Sequence, residues 1–173
     1  MISPGHVSTI IGLQPFKIFS DAYRVPNVIA GFEPNDVLLG ILMLLRQIKN
    51  KTFETLNEYS RVVKPEGNKI AQEIIDDIFQ SVSSPWRGIG RVLDGGLAIR
   101  AKYEKSDADK KFDIKIEKSQ DIPPGCSCHL IMVGKLNPND CQLFGEELTP
   151  LNPVGPCMVS QEGMCSIYYK YYK

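Results

Sequence analysis

All five cysteines of this 173-residue chain lie between Cys126 and Cys165, and the first 125 residues contain none. They follow the pattern C-x-C, with single cysteines at positions 141, 157 and 165. Thiolates bind zinc or an iron–sulfur cluster when four of them converge, and a pair of thiols can instead cycle between dithiol and disulfide. The spacing matches neither the usual ferredoxin patterns nor the paired C-x2-C of zinc ribbons. From the residues alone, a metal centre, a redox pair and unrelated thiols all stay open.

The segment 126–165, called here the cysteine block, is also dense in proline and glycine. These residues are Pro138, Pro150, Pro153, Pro156, Gly134, Gly145, Gly155 and Gly163. Such a density excludes a long helix or a regular sheet. A loop-rich segment with few apolar residues needs a metal centre or a disulfide to order it.

Composition narrows the class of protein that carries this block. Formal net charge is zero and the pI is about 6.7, which does not favour a nucleic-acid partner. The longest apolar run, Val37 to Leu45, is too short for a membrane span and predicts a buried helix. No signal peptide opens the chain, so we expect a cytoplasmic protein. In a reducing cytosol, clustered cysteines are more often metal ligands or redox thiols than structural disulfides.

Upstream of the block, short apolar runs alternate with amphipathic helices, which is typical of an α/β fold. Predicted strands cover Asn27–Gly31, Tyr59–Val63 and Gly90–Leu93, and the predicted helices start near residues 34 and 69. We therefore expect a small parallel sheet flanked by helices, followed by the loop-rich block. The predicted domains are an α/β domain over 1–100 and a charged linker with the cysteine-rich module over 101–173. The sheet is expected to lack its first strand, because 3–6 resembles a loop that normally follows one.

The first predicted helix has one apolar stripe, which we expect to face the core. The stripe consists of Val37, Leu38, Ile41, Leu42, Leu45 and Ile48. The second helix has a similar stripe, made of Ile70, Ala71, Ile74, Ile75, Ile78 and Phe79, with acidic residues on its other face.

Four polar residues in the α/β part are candidates for a cleft or a partner site. His6 could be a ligand or acid–base group, although a hydrogen-bonding role is favoured. Glu33 stands at a strand-to-helix turn, where α/β proteins bind ligands, or it complements the helix dipole. Glu66 and Asn68 precede a helix N-terminus that could hold an anion, although a structural turn is favoured. The tyrosines near the C-terminus are expected to pack against the cysteine module.

Five motifs follow one another along the chain. They are PGHVSxIIG from Pro4, GFEP from Gly31, RVVxPEGN from Arg61, WRGxG from Trp86, and CxLFG…TPxNPxGxCMVSxEGxC from Cys141. Together they resemble the HypD family of hydrogenase maturation proteins, over essentially the whole chain. The resemblance implies a scaffold that works with HypC, on which an iron atom receives cyanide and carbon monoxide ligands, with HypE as the cyanide donor. The iron is the cargo, and the family also carries a resident [4Fe-4S] cluster in its C-terminal module.

The resemblance also assigns roles to the cysteines. It implies Cys126, Cys141 and Cys165 as cluster ligands, with the fourth ligand at the position occupied here by Leu148. Cys128 and Cys157 would form a redox pair, or one of them would substitute for the missing ligand. A leucine cannot bind iron, so the expected cluster is incomplete or labile.

The family is about twice as long as this chain, and its CGxH and GPGCPVC motifs are absent here. The resemblance is therefore to the second α/β domain plus the cluster module, and a separate N-terminal half is a further expected partner. We expect a partial scaffold rather than a stand-alone enzyme. The alternatives are a thiol/disulfide redox protein that uses Cys128 and Cys157, and a degenerate fragment without function.

Overall fold

The computed structural model describes residues 1–112 and 122–172. The chain divides into two compact units, Met1–Ile78 and Phe79–Lys173. We predicted a domain boundary after residue 100. The first unit ends earlier, at Ile78, and the predicted boundary stays a prediction. Each unit is built around a different kind of core.

The first unit contains a three-stranded parallel sheet. Its strands are β1 (Ile2–Pro4), β2 (Asn27–Ala30) and β3 (Thr55–Asn57), in the order β1-β2-β3. All four residues of the central strand are buried, as a run of apolar residues between two turns predicts. The predicted α/β fold with a small parallel sheet is confirmed. The segment 3–6, predicted to be a loop, instead completes β1 and begins the first helix.

Helices cover both faces of this sheet. They are α1 (Gly5–Ile11), α2 (Lys17–Asp21), α3 (Pro34–Asn50) and α4 (Lys69–Ile78), with a 3-10 turn at Gln14–Phe16. Helix α3 lies on the face that carries Val28 and Ala30, because a Cβ added at Gly40 would stand 3.2 Å from the Ala30 Cβ. Helix α2 lies on the opposite face, where the Ser20 hydroxyl is 3.0 Å from the Thr55 hydroxyl.

Helix α3 is rotated away from the predicted orientation. Its buried residues are Asp36, Gly40 and Gln47, whereas all six residues of the predicted core stripe are exposed. Close packing on β2 selects the small Gly40, and Gln47 donates to the Asn27 carbonyl (3.4 Å) and accepts from the Glu54 N–H (2.8 Å). The prediction of a buried apolar stripe was wrong, because packing geometry and these hydrogen bonds determine which side of the helix meets the sheet.

One predicted strand was also wrong, and another lies in a different sheet from the one predicted. Tyr59–Val63 forms turns rather than a strand, since the N–H groups of Val62 and Val63 both donate to the Tyr59 carbonyl. Gly90–Leu93 belongs to an antiparallel hairpin, made of β4 (Phe79–Trp86) and β5 (Gly90–Ile99), and not to the parallel sheet. The tight connection uses Gly88 at φ 72° and Gly90 at φ 99°, a region of backbone space that favours glycine.

After the hairpin, the second unit consists of short helices and loops. Its helices are α5 (Ala108–Lys111), α6 (Cys128–Met132), α7 (Pro156–Val159) and α8 (Met164–Tyr172), with 3-10 turns at Ala101–Ser106 and Pro138–Asp140. We predicted that the cysteine block contains neither a long helix nor a regular sheet. This prediction is confirmed within the described residues. Part of the predicted charged linker, 113–118, lies outside the described residues. No helix in the described ranges is long and apolar enough to cross a membrane.

An ion pair joins the start of α3 to the segment after β3. The Arg61 guanidinium donates to both carboxylate oxygens of Asp36, at 2.8 and 2.7 Å. Asp36 is buried, while Arg61 is half exposed and stacks over the Tyr59 ring, 4.5 Å from its centroid. Hydrogen bonds from Arg61 hold the pKa of Asp36 below its ordinary value of 3.8. Arg61 therefore compensates a carboxylate that is otherwise costly to bury.

We predict that Asp36→Asn lowers the melting midpoint of the first unit by several degrees at neutral pH, because it removes the charged partner of Arg61. The folded-state pKa of Asp36 is depressed, so this contribution is complete above the unfolded pKa of about 3.9 and is lost as the pH falls through the folded value. The difference from the parent chain should be constant above about pH 5 and should shrink below about pH 4.

Thermal unfolding followed by circular dichroism at several pH values tests this. Glu73→Gln, at an exposed carboxylate on α4, is the matched control and should leave the melting midpoint unchanged. A difference for Asp36→Asn that persists undiminished at pH 2 would contradict the assignment.

Candidate metal centre

The core of the second unit is made largely of sulfur. All five cysteines are buried together with Ile131, Leu148 and Met158 in one contiguous cluster. Cys128 and Cys165 are completely inaccessible to solvent, and Leu148 is 1% exposed. The structure therefore brings together every cysteine that the sequence singled out, and it places Leu148 among them.

The local backbone conformation positions each of the three free cysteines in this cluster. Cys126 follows a turn at Gly125, which has φ 82°, and its N–H donates to the Pro123 carbonyl. Cys141 ends the 3-10 turn at Pro138–Asp140, which Asn137 and Asp140 stabilise through a capping box. Cys165 lies in the first turn of α8. A turn, the end of a 3-10 turn and the first turn of a helix thus place their thiols in one core.

Two glycines permit the backbone to approach these cysteines closely. A Cβ added at Gly155 would stand 2.5 Å from the Cys126 sulfur, and one added at Gly163 would overlap the backbone of Cys157. Any side chain at either position would displace a cysteine. Gly155 and Gly163 therefore have a steric role at the sulfur cluster.

The thiols of Cys126 and Cys165 are shifted toward their protonated form. Burial raises the pKa of Cys126. Burial, reinforced by the nearby Cys141 and Cys126, raises the pKa of Cys165 to about 11. A metal that binds here must displace these protons, since the thiolate is the ligand.

The remaining two cysteines, Cys128 and Cys157, form a disulfide with their Cα atoms 6.1 Å apart. Cys128 begins α6 and Cys157 lies in α7. They are the two residues that the resemblance implies as a redox pair or as substitute ligands. As a disulfide they cannot serve as thiolate ligands, and their role as a redox pair stays a prediction.

The residues of this cluster fit three corners of a [4Fe-4S] cluster. Cys126, Cys141 and Cys165 supply three free, buried and neighbouring thiols. Leu148 lies in the same cluster and offers no donor atom. Among the described residues, no group of three His, Cys, Asp or Glu side chains is arranged to hold a single metal ion, but a cubane spreads its ligands over four irons.

A second group of side chains lies where the strands of the parallel sheet end. The His6 and Phe32 rings are 5.1 Å apart, and Glu33 is 3.6 Å from the Arg61 guanidinium that binds Asp36. Phe32 and Glu33 are largely exposed. The C-terminal edge of parallel strands is the usual binding edge of α/β folds, and this rule could have drawn attention to Asp36 and Arg61, which the sequence analysis did not name as site residues.

The structure gives Asn68 the structural role that the sequence favoured. Its side-chain oxygen accepts from the Ala71 N–H at 3.1 Å and caps α4. The Glu66 carbonyl accepts from Gln72, which also bonds to the Ile10 carbonyl. Both residues thus belong to the junction of α1 and α4. No described contact joins their side chains to His6 or Glu33.

The tyrosines of α8 pack on the cysteine block, as expected. Tyr168 and Tyr169 contact the Phe144 ring edge-on, at 5.9 and 6.0 Å between centroids. Tyr168 also stacks on Tyr172 at 4.8 Å. This aromatic group covers one side of the sulfur cluster, since Phe144 and Tyr169 pack directly against it.

Comparison with known proteins agrees with the motifs. The sequence model of the HypD family, described as the hydrogenase formation hypA family, matches residues 1–172. The chain is 52% identical over 170 residues to a putative hydrogenase expression/formation protein of Methanocaldococcus jannaschii. It is 44% identical over 171 residues to the hydrogenase maturation factor HypD1 of Bradyrhizobium diazoefficiens, and 43% identical to HypD of Cupriavidus necator.

Each of these alignments covers 98% of this chain but only 45 to 47% of the relative. The chain therefore spans about half the length of the curated relatives it matches. Identity above 40% over nearly the whole chain, together with the family match, establishes descent from a common ancestor. The chain belongs to the HypD family.

Proposed function

We propose that this chain acts in hydrogenase maturation as part of a scaffold on which the Fe(CN)2CO unit of nickel–iron hydrogenase is assembled. The observation that carries the proposal is the sulfur cluster. This family member retains three converging free thiols, a neighbouring thiol pair and the glycines that shape them. These are the parts of a redox-active module. This chemistry would assist assembly rather than turn over a substrate of its own.

A [4Fe-4S] cluster is the cofactor that we propose for the block, held by Cys126, Cys141 and Cys165. When bound, it supplies single electrons. The cysteines pack against Ile131, Met158 and the Phe144 ring, which exclude water from them. Leu148 contributes apolar packing where the family places a fourth thiolate.

The Cys128–Cys157 disulfide supports a redox role within this scaffold. Two electrons and two protons convert the disulfide to two thiols, and the reverse step returns them. Both cysteines are buried with the three free thiols that would hold the cluster, and the cluster would supply electrons to a neighbouring group one at a time. The second candidate function is this thiol/disulfide exchange alone, without a role in assembling the Fe(CN)2CO unit.

The partners that we propose are HypC-like and HypE-like proteins. The group at the strand ends, which includes His6, Phe32 and Glu33, is exposed and lies at the binding edge of the sheet. The iron cargo needs cysteines that the family places in its CGxH and GPGCPVC motifs, which this sequence lacks. This chain would therefore contribute the redox module and docking surfaces, while other residues hold the cargo.

Replacing Leu148 with cysteine should complete the ligand set. We predict that reconstitution of the parent chain under argon gives a substoichiometric, oxygen-sensitive cluster with a three-iron electron paramagnetic resonance signal. Leu148→Cys should raise iron and sulfide toward about four of each per chain, because each iron of a cubane needs a terminal ligand. It should also raise the melting midpoint of the loaded protein, since cluster binding adds folding energy.

The matched control is Leu151→Cys, which places a cysteine at a leucine that is 98% exposed and should not raise the iron content. The ligand assignment is wrong if the parent already holds a stable four-iron cluster that both Cys126→Ser and Cys165→Ser leave intact.

The thiol pair can be counted directly. Under denaturing conditions, the oxidised chain should show three reactive thiols and the reduced chain five, as the bonded pair requires. Cys157→Ser should give four thiols before and after reduction, whereas Cys141→Ser should give two and then four. A count of five in the chain purified under air would contradict a stable pair.

The absence of the cargo motifs predicts that the isolated chain carries no iron–cyanide unit. Infrared spectroscopy of the purified chain should show no bands of bound cyanide or carbon monoxide, and binding to a HypC-like protein should be measurable but weak. Infrared bands on the chain alone would overturn the division of roles. No binding to HypC-like or HypE-like proteins, in either oxidation state of the disulfide, would refute the scaffold proposal.

A further inference from the structure

Helix α3 presents its most apolar side to solvent. Leu38 is 64% exposed, Leu45 57% and Ile48 61%, and Val37, Ile41 and Leu42 are each at least 36% exposed. We call these six residues the α3 face. Single exposed apolar residues are common on protein surfaces, but a contiguous set of this kind marks an interaction site.

The α3 face cannot turn inward within this fold. The opposite side of the helix is tied to the sheet by Gly40 packed on Ala30 and by Gln47, which bonds to both Asn27 and Glu54. The Arg61–Asp36 pair fixes the first turn of the helix in the same orientation. The exposure of the face therefore follows from specific contacts.

The spacing within the face indicates what fits it. Leu38, Ile41, Leu45 and Ile48 recur at intervals of three, four and three residues, the pattern with which one helix receives the side chains of another. The repeat covers about two heptads, whereas a coiled coil sustained by such a seam needs about three to four. The repeat is therefore too short to indicate a free-standing coiled coil, and the face suits a helix of a folded partner.

The curated relatives contain more polypeptide than this chain matches. They match 98% of this chain, yet more than half of each relative lies outside the match. We propose that the α3 face is the docking surface for a polypeptide equivalent to that unmatched part, which contributes an apolar helix to the contact. The proposal depends on the surface of the first unit alone, so it stands or falls independently of the cluster and the disulfide.

The probe is the unmatched part of the Methanocaldococcus jannaschii relative, produced as a separate polypeptide and, in parallel, co-produced with this chain. Analytical ultracentrifugation should show a one-to-one complex with the parent chain. The double variant Leu38→Glu and Leu45→Glu should weaken binding at least 100-fold, because it buries two charges in the contact. Its unmixed circular dichroism melt should match that of the parent, since both side chains are exposed in the free chain.

Leu151→Glu, at a fully exposed leucine outside the first unit, is the matched control and should bind like the parent. If the probe is insoluble alone, co-production with the parent should bring it into solution as a complex, and co-production with the double variant should not. Equal binding by parent and double variant, no complex by either route, or a parent dimer that the double variant abolishes would each overturn the proposal. The last result would identify a second copy as the occupant.

Discussion

The second unit depends on one constraint: five sulfur-bearing side chains must be buried together in a segment that has little else to bury. This is tolerated because a cysteine packs as a small apolar residue, and burial raises the pKa of Cys165 and favours its neutral thiol. Under the proposal of a bound cluster, the cysteine block has two compatible states, an apolar core of neutral sulfur and a ligand shell of thiolates. The glycines at 155 and 163 are needed in both, since they determine how closely the backbone approaches the sulfur atoms.

The first unit follows a different logic. A three-residue and a four-residue strand pair at its centre, and helix α3 contacts them through its smallest and most polar side. Hydrogen bonds from Gln47 and the Arg61–Asp36 pair specify the packing, and the apolar residues of α3 remain available on the outside. The first unit thus keeps its helix packing through specific polar contacts and presents an apolar surface.

Sequence reasoning predicted the α/β class, strand β2 and the importance of the cysteines, because these depend on local patterns: a short buried run, helical periodicity and residue chemistry. The family motifs also implied a redox pair of Cys128 and Cys157 and a ligand position at Leu148, and both stay predictions. Sequence reasoning failed for helix α3, since periodicity identifies an apolar face but not the direction in which that face points. It found a strand at Gly90–Leu93 but placed it in the wrong sheet, because a strand pattern does not reveal whether its partner is parallel or antiparallel. The ion pair between Asp36 and Arg61 joins residues 25 positions apart, and no local pattern connects them.

The disulfide has a consequence for chain entropy. Cys128 and Cys157 are 29 positions apart, and the loop that they close contains both Cys141 and Leu148. Closing a loop of about 30 residues restricts the unfolded chain by about 3.5 kcal/mol in the loop-entropy account. Reduction of the pair releases this restriction on the unfolded chain and lowers the free energy of unfolding of the second unit. The oxidation state of one covalent bond is thereby coupled to the stability of the segment that carries Cys141.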